Sequence, residues 1–292
     1  MLTGKMHKGT PPMSDSKTAA PISPQDDALD AYRPQRIAER IEAAGVTKAK
    51  LGVLETLTLS VLAGAFIAFG AMFYTVAVTD SGLGFGPTRL LGGLAFSLGL
   101  ILVVVAGAEL FTGNNLVVMA WADGRIGLGA LLRNWGIVYG GNFLGAVASA
   151  IFIHWSGTLG MQDGAVAETA LKIADAKISL TVDEAFARGI LCNALVCLAI
   201  WLSYAARRVS GKILAIVFPI TAFVALGFEH SVANMYFIPV AIMQGNGMTV
   251  IDMLHNLVPV TLGNIVGGAG FVGLVYWIAY SRVNDGSEED GV

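Results

Sequence analysis

Three ionisable residues stand inside long apolar stretches of the sequence, and they are the first candidates for chemistry: Glu109, Glu229 and His230. At the centre of a bilayer a charged side chain costs about 2.5–3.5 kcal/mol on insertion scales unless it is paired or hydrated. Both glutamates lie in polar interruptions, at 108–115 (AELFTGNN) and 227–234 (GFEHSVAN). We interpret them as structural, that is, as buried carboxylates that accept backbone N–H bonds where a helix is broken. A role in conduction is the alternative.

A spacing of asparagine and glycine occurs twice downstream of these interruptions. The pattern Asn-x6-Gly-Asn-x2-Gly begins at Asn134 and again at Asn256, 25 residues after Glu109 and 27 residues after Glu229. Chance matching in glycine-rich helices is the alternative, but four matched positions together with matched interruptions favour an internal repeat. Inverted repeats with paired broken helices indicate a transport site near the bilayer midplane.

His230 is an asymmetric addition, because the matching position of the first repeat is Leu110. An imidazole has an unperturbed pKa of about 6.5 and changes charge near neutral pH. In an apolar pore it would hold an anion, pass it a proton, or do both. A single histidine in an apolar helix is usually a satisfied core residue, but the adjacent glutamate and the helix break favour function. Thr112, in the other interruption, is expected to hydrogen-bond the imidazole across the pseudo-twofold axis.

Six apolar segments are long enough to position these residues in a membrane, at about 20 residues per helix. They cover 55–78, 90–122, 135–155, 185–204, 213–243 and 257–280. The second and fifth are too long for one plain span, and they contain the two interruptions. Three spans per repeat is an odd number, so the two halves must have opposite orientations. The predicted fold is an all-α membrane protein with inverted three-helix repeats and two broken helices.

The composition supports a polytopic membrane protein and excludes other classes. Of 292 residues, 55% are hydrophobic and 13% charged, about half the globular norm of roughly 25%, and the mean hydropathy is +0.67. A net charge of −3 without a basic stripe argues against nucleic-acid binding. Cys192 and Cys197 lie in an apolar run without metal-ligand spacing, so we expect neither a disulfide framework nor a metal or cofactor.

Charge also divides the chain into parts and orients it. Residues 1–50 form a polar arm that is expected to be disordered up to about residue 31, 51–282 form the transmembrane domain, and 283–292 form an acidic tail. Apolar spacing at 31–49 predicts a helix. It lies on the membrane surface or caps the bundle, and an ordinary N-terminal helix is the alternative. Fourteen of the 18 Lys/Arg lie in the arm, in the loops at 123–133 and 207–212, and at Arg282 just before the tail. The positive-inside rule therefore predicts that both termini are cytoplasmic. The expected location is the inner membrane. Binding of a cytoplasmic enzyme by the arm stays open.

Two other classes were weighed against a solute channel. A water or glycerol channel would share the inverted repeats but should carry Asn-Pro-Ala at both half-helices, where this chain has Gly-Asn-Asn and Val-Ala-Asn. An intramembrane serine protease would need a nucleophile paired with the histidine. Ser231 adjoins His230 but cannot face it from the next position on a helix. We therefore expect a transporter and not an enzyme.

Four strings in this order resemble the formate/nitrite transporter family, over roughly residues 36 to 282. They are 108–113 (AELFTG), 189–201 (GILCNALVCLAIW), 227–235 (GFEHSVANM) and 259–264 (PVTLGN). The resemblance implies an aquaporin-like six-helix protomer with its own pore, a homopentamer, and passage of small monovalent anions with proton coupling in acid.

The resemblance also implies roles for individual residues. The family's central histidine falls on His230, its loop threonine on Thr112, its pore asparagine on Asn193 and its mouth lysine on Lys177, in a poorly patterned loop. Arg188 is a second candidate for the mouth charge. Apolar constriction residues fall on Leu110, Phe111, Phe96, Leu100, Val196 and Phe223.

The expected mechanism combines attraction with exclusion of charge. The lysine at the mouth attracts an anion, and the apolar constrictions disfavour its charged form. The anion then pairs with protonated His230, or takes a proton and crosses as the neutral acid. The strings at 96–102, 227–230 and 259–264 look closest to formate members. Formate is therefore the expected substrate, with nitrite or hydrosulfide as the alternative.

Overall fold

The computed structural model describes residues 31–281, so the arm up to residue 30 and the acidic tail lie outside the described residues. The described chain is helical. Its helices are α1 (Pro34–Lys50), α2 (Val53–Val78), α3 (Phe85–Leu102), α4 (Phe111–Asn114), α5 (Val118–Ala122), α6 (Leu128–Trp155), α7 (Ala165–Ile178), α8 (Val182–Ala205), α9 (Val209–Leu226), α10 (Ser231–Met243), α11 (Val250–Ile265) and α12 (Val275–Tyr280). Wide π turns extend α3 over Val103–Gly107 and join α11 to α12 over Val266–Leu274.

Six helices within residues 31–281 are long and apolar enough to cross a membrane, which confirms the predicted six spans. They are α2, α3 with its π turn, α6, α8, α9 and the α11–α12 unit. The third and sixth spans begin about seven residues earlier than predicted, because polar residues interrupt the start of each apolar run: Arg133 and Asn134 in the third span, and Asp252, His255 and Asn256 in the sixth. The first turn of α11 belongs to a capping box, in which the side chains of Thr249 and Asp252 accept each other's backbone N–H.

The second and fifth spans are broken at the predicted interruptions. The π turn after α3 ends at Gly107 (φ +84°), and α9 ends at Gly227 (φ +75°), a left-handed conformation that glycine adopts without strain. Extended backbone then leads into two half-helices, one made of α4, a 3-10 turn and α5, the other of α10. Residues 108–110 and 228–230 form the two breaks.

Matched glycines allow the closest helix packing in each half. A Cβ atom on Gly145 of α6 would lie 2.0 Å from the carbonyl oxygen of Val61 in α2. A Cβ on Gly267, in the same position of the second motif, would lie 2.1 Å from the carbonyl oxygen of Ile190 in α8. The glycines of the repeated motif therefore let pairs of long helices touch through their backbones.

One additional helix precedes each half, namely α1 and α7. The apolar spacing of the sequence predicts α1, whereas α7 lies in a stretch with too little patterning to predict a helix. The buried stripe of α7 is Val166, Ala170 and Ala174, and two alanines give little hydrophobic signal. Each of these helices carries a lysine at its end, Lys48 in α1 and Lys177 in α7. The repeat thus includes a lysine-bearing helix that the spacing of apolar segments does not reveal.

Candidate transport pathway

A closed ring of hydrogen bonds surrounds Glu229 at the second break. Lys177 Nζ lies 3.0 and 3.2 Å from the two carboxylate oxygens, and Asn234 Nδ2 donates to Oε2 at 2.7 Å. The same amide donates to Asn256 Oδ1 at 2.7 Å, and Asn256 Nδ2 donates to the Lys177 carbonyl at 2.9 Å. Helices α7, α10 and α11 are therefore joined at one buried ion pair.

The first half repeats this ring around Glu109 with the same residue types, and Lys48 Nζ also donates to Asn114 Oδ1 at 3.1 Å. Lys48 Nζ lies 2.5 Å from Oε1, and Asn114 Nδ2 donates to Oε2 at 2.6 Å. Asn114 also donates to Asn134 Oδ1 at 3.0 Å, and Asn134 Nδ2 donates to the Lys48 carbonyl at 3.3 Å. We call these two rings the Glu109 ring and the Glu229 ring.

These rings correct the interpretation of the two glutamates. Both carboxylates are buried as expected, but their partners are a lysine ammonium and an asparagine amide instead of backbone N–H groups. A buried carboxylate is tolerated in low dielectric when a cation pairs with it and its remaining lone pairs are satisfied. The first asparagine of each repeated motif was the signal for such a ring, and the cation on the preceding helix was missed.

The second asparagine of each motif bonds backbone N–H and C=O groups that the helix break leaves without helical partners. Asn142 Oδ1 accepts the Phe111 N–H at 2.8 Å, and its Nδ2 donates to the Glu109 carbonyl at 2.9 Å. In the other half, Asn264 Oδ1 accepts the Ser231 N–H at 2.9 Å, and its Nδ2 donates to the Glu229 carbonyl at 3.0 Å. Both amides therefore replace hydrogen bonds that the broken helices cannot make.

The two breaks meet at Thr112 and His230. Thr112 Oγ1 lies 2.9 Å from His230 Nε2, which is the contact predicted from the sequence, and both residues are buried. His230 Nδ1 accepts the backbone N–H of Ala233 at 3.1 Å and so caps α10. Because Nδ1 is an acceptor, the neutral ring carries its hydrogen on Nε2 and donates to Thr112. Both ring nitrogens are therefore occupied in an uncharged imidazole.

A cavity of about 290 Å³ opens from the α7 side and ends at this imidazole. We call it the vestibule. The ring of Phe223 stacks on His230 with centroids 6.0 Å apart, and Phe96 meets Phe223 edge-on at 5.6 Å. Aromatic side chains thus form its inner end. Its charged lining residues are Arg89, Lys172, Lys177, Arg188 and Glu229.

A second, narrower cavity of about 30 Å³ lies on the α1 side. Its lining includes Lys48, Gly113 and Ile200. Gly113 follows Thr112 directly, so the Thr112–His230 contact stands between a cavity on one side and a cavity on the other. Polar groups of opposite repeats therefore meet where the two cavities approach each other.

The remaining expected pore residues are buried around this contact. Asn193 is buried and does not line the vestibule. Its Nδ2 lies 2.7–3.2 Å from three acceptors, the Thr112 carbonyl, Asn115 Oδ1 and the Asn264 carbonyl, so its two hydrogens are shared among them. Phe111 packs against the rings of Trp135 and Tyr139 of α6. Three further apolar residues belong to the same buried cluster: Leu100, Leu110 and Val196.

Ser231 and His230 do not form the nucleophile–base pair that a serine protease would need. Ser231 Oγ makes no hydrogen bond, and neither nitrogen of the His230 ring is available to activate it. Among residues 31–281, no three His, Cys, Asp or Glu side chains converge as a metal site would require. The fold and the site together define a membrane transport protein with inverted repeats.

Comparison with known proteins identifies the family. The sequence profile described as "Formate/nitrite transporter" matches residues 35–278, and the chain belongs to that family. The formate channel FocA of Escherichia coli (strain K12) is 42% identical over 280 residues, covering 89% of this chain and 98% of FocA. An uncharacterized transporter of Bacillus subtilis, YrhG, is 43% identical over 260 residues, covering 88% and 97%.

A solved structure agrees with both the family and the fold. It is described as a pentameric formate channel with formate bound, and it superposes with a TM-score of 0.73 at 39% identity. The superposition covers 78% of this chain and 97% of that channel. The predicted architecture of six spans and the predicted family are thereby confirmed.

Proposed function

We propose that this chain forms a proton-linked channel for small monovalent anions, with formate as its main substrate. The Thr112–His230 contact carries the proposal, because it places one polar pair between two cavities in an otherwise apolar cluster. Relatives named as formate channels at about 42% identity support formate over nitrite or hydrosulfide.

The hydrogen bonds of His230 bear on how the anion crosses. A bare anion is strongly disfavoured next to Phe96 and Phe223 in low dielectric. Protonation of Nδ1 would require the ring to give up the Ala233 N–H. The observed geometry therefore favours an uncharged imidazole and a substrate that takes a proton and crosses as the neutral acid. Pairing of the anion with protonated His230 is the alternative, and it requires that the cap on α10 opens.

The assembly and orientation complete the proposal. We propose a homopentamer in the cytoplasmic membrane, in line with the pentameric relative of known structure. The basic loops support a cytoplasmic location for both termini and for α1. The vestibule on the α7 side then faces outward. Its lysine, Lys177, is held by Glu229 and supports the break as well as the mouth.

Formate flux in proteoliposomes tests the proposal. We expect the wild type to release formate along a gradient, faster at pH 5.5 than at pH 7.5. If formate crosses as the neutral acid, His230→Asn should lower the flux and keep this pH dependence, and if the anion pairs with protonated His230, the pH dependence should be lost. His255→Asn is the matched control, because His255 is exposed on α11. Equal flux and equal pH dependence in the wild type and His230→Asn would refute the role of the histidine. A competition series with nitrite, hydrosulfide and acetate would rank the substrates.

A further inference from the structure

The charges that line the vestibule are unequally compensated. Lys177 lies 3.0 and 3.2 Å from the two oxygens of Glu229, and both side chains are largely buried. Such a pair has no net charge, so it attracts an approaching anion far less than a free ammonium would. Two of the other basic residues also face carboxylates: Lys172 lies 3.9 Å from Glu168, and Arg188 lies 3.9 Å from Glu184.

Arg89 is the exception among these basic residues. It lines the vestibule and is half-buried, but no carboxylate of the described residues lies within ion-pairing distance of its guanidinium. Lys172 and Arg188, by contrast, are at least two-fifths exposed, so water and salt screen their charges. Among the described residues, Arg89 is therefore the basic residue of the vestibule that combines limited exposure with the absence of a facing carboxylate.

The guanidinium of Arg89 is fixed next to the second break. Its Nε donates to the carbonyl of Ala225, near the end of α9, at 2.9 Å. A Cβ atom on Gly227 would lie 2.9 Å from its Nη2, so the guanidinium passes directly over that glycine. Gly227 directly precedes the break that contains Glu229 and His230. The hydrogen bond to Ala225 and an interaction with the Tyr74 hydroxyl thus hold the Arg89 guanidinium close to the histidine end of the vestibule.

We infer that Arg89, more than Lys177, is the fixed charge that concentrates the anion in the vestibule before it reaches His230. The inference rests on the proposed anion transport, and it names a residue that sets the apparent affinity for the substrate. A guanidinium suits this task, since it stays charged at every physiological pH and presents several N–H donors to a small oxyanion. The function assigned to Arg89 is recruitment of the anion, and passage through the pore belongs to the Thr112–His230 contact.

Initial rates of formate uptake at increasing formate concentration, in proteoliposomes at constant pH, test the inference. Arg89→Gln should raise the half-saturating concentration about fivefold, with a maximal rate within about twofold of the wild type, because a loss of steering lowers the local anion concentration. Arg89→Lys should stay within about twofold on both measures, since it keeps the charge. Arg208→Gln, an exposed arginine at the start of α9 and away from the vestibule, is the matched control.

Ionic strength separates attraction from a structural role. A non-transported salt at 0.5 M should make the half-saturating concentrations of the wild type and Arg89→Gln similar. Salt at this concentration shortens the Debye length to between about 3 and 10 Å, so the long-range attraction is lost. Loss of rate in both Arg89→Gln and Arg89→Lys, independent of salt, would show that Arg89 only supports the end of α9 and would overturn the inference. Unchanged half-saturation in Arg89→Gln would do the same. A wild type without formate flux would instead refute the proposed function.

A labelling experiment tests the charge separately from assembly, because the charge is added to Arg89→Cys after the protein has folded. The chain's own cysteines, Cys192 and Cys197, are buried, so a thiol reagent would modify Arg89→Cys selectively. A cationic methanethiosulfonate reagent should restore the low half-saturating concentration, and a neutral reagent of similar size should not. Equal effects of the two reagents would overturn the inference.

Discussion

The two halves of the molecule share a scaffold and differ at the residue that would do chemistry. The Glu109 and Glu229 rings use the same residue types, and their hydrogen bonds correspond except that Lys48 also donates to the asparagine of its ring. Asn142 and Asn264 tie the two breaks in the same way. Directly after the glutamate, however, one half has Leu110 and the other has His230. The repeat therefore provides a symmetric scaffold, and the residue that follows the second glutamate, His230, provides the titratable group.

The halves also differ in how tightly their rings are enclosed. The side chain of Lys177 is 13% exposed and that of Lys48 is 27% exposed. The cavity on the α7 side is about 290 Å³, against about 30 Å³ on the α1 side. The same frame thus borders a wide vestibule on one side and a narrow cavity on the other. Substitutions at matched positions of the two rings measure how much this difference contributes to the free energy of unfolding.

The largest expected effect comes from breaking the rings. Glu229→Gln leaves the Lys177 ammonium buried without its counter-charge and should destabilise the protein by about 3–5 kcal/mol. Glu109→Gln should cost less, because Lys48 is more exposed and water can hydrate it. Thermal unfolding of the purified protein in detergent, followed by tryptophan fluorescence, measures both.

Glu168→Gln is the control for this comparison. Its carboxylate lies on the exposed surface of α7 and faces Lys172 at 3.9 Å, so its loss should change stability by about 0–1 kcal/mol. If Glu109→Gln and Glu229→Gln behaved like this control, the rings would not be stabilising elements. If Glu109→Gln cost more than Glu229→Gln, exposure of the lysine would not decide the order.

A second pair of substitutions tests the packing that the repeat shares. Gly145→Ala and Gly267→Ala each place a Cβ atom about 2 Å from a backbone oxygen of the facing helix. The helices must separate, and each change should cost about 1–3 kcal/mol by overpacking. Gly140→Ala, on α6, meets no atom within 4 Å and should be neutral or stabilising. Unfolding temperatures would contradict the repeat packing if all three variants behaved alike.

Sequence patterns predicted the spans and breaks better than the side-chain contacts that connect them. Six spans, two breaks and the Thr112–His230 contact followed from hydropathy and matched spacing, because both depend on local composition or on the repeat itself. The rings did not follow, since Lys48 lies 61 residues before Glu109, and Lys177 lies 52 residues before Glu229. Their pairing depends on how α1 and α7 fold back over the breaks. Nothing in the spacing of apolar residues records that path.

The contact between the repeats allows a more local test. Val232 occupies the position in the second repeat that Thr112 occupies in the first, so Thr112→Val makes the halves alike there. The change leaves the Nε2–H of His230 without an acceptor and should cost about 1–2 kcal/mol in stability. Formate flux should fall as well, because the imidazole is no longer oriented. Thr112→Ser keeps the hydroxyl and should restore both. Equal flux in the two variants would show that the hydroxyl has no role.

The smallest effect concerns α1, which carries a buried carboxylate that α7 lacks. Glu42 lies six residues before Lys48, and the residue six before Lys177 is Leu171. Burial raises the pKa of Glu42 above its ordinary value of 4.5, with a hydrogen bond from Ser281 and the nearby Arg125 opposing the shift and Asp123 and Glu39 adding to it. The folded state therefore holds the proton more tightly than the unfolded chain does.

This shift has a definite sign in stability. Between 4.5 and the raised pKa the folded state binds more protons, so the contribution of Glu42 to the free energy of unfolding is lost as pH rises through that window. Glu42→Gln should flatten this part of the pH profile, while its amide oxygen still accepts from Ser281. Unfolding temperatures at pH 4 to 7 measure the slope, and Glu168→Gln on the exposed surface of α7 is the control. An identical slope in the wild type and Glu42→Gln would show that Glu42 titrates alike in both states, and the asymmetry between α1 and α7 would then lie in packing alone.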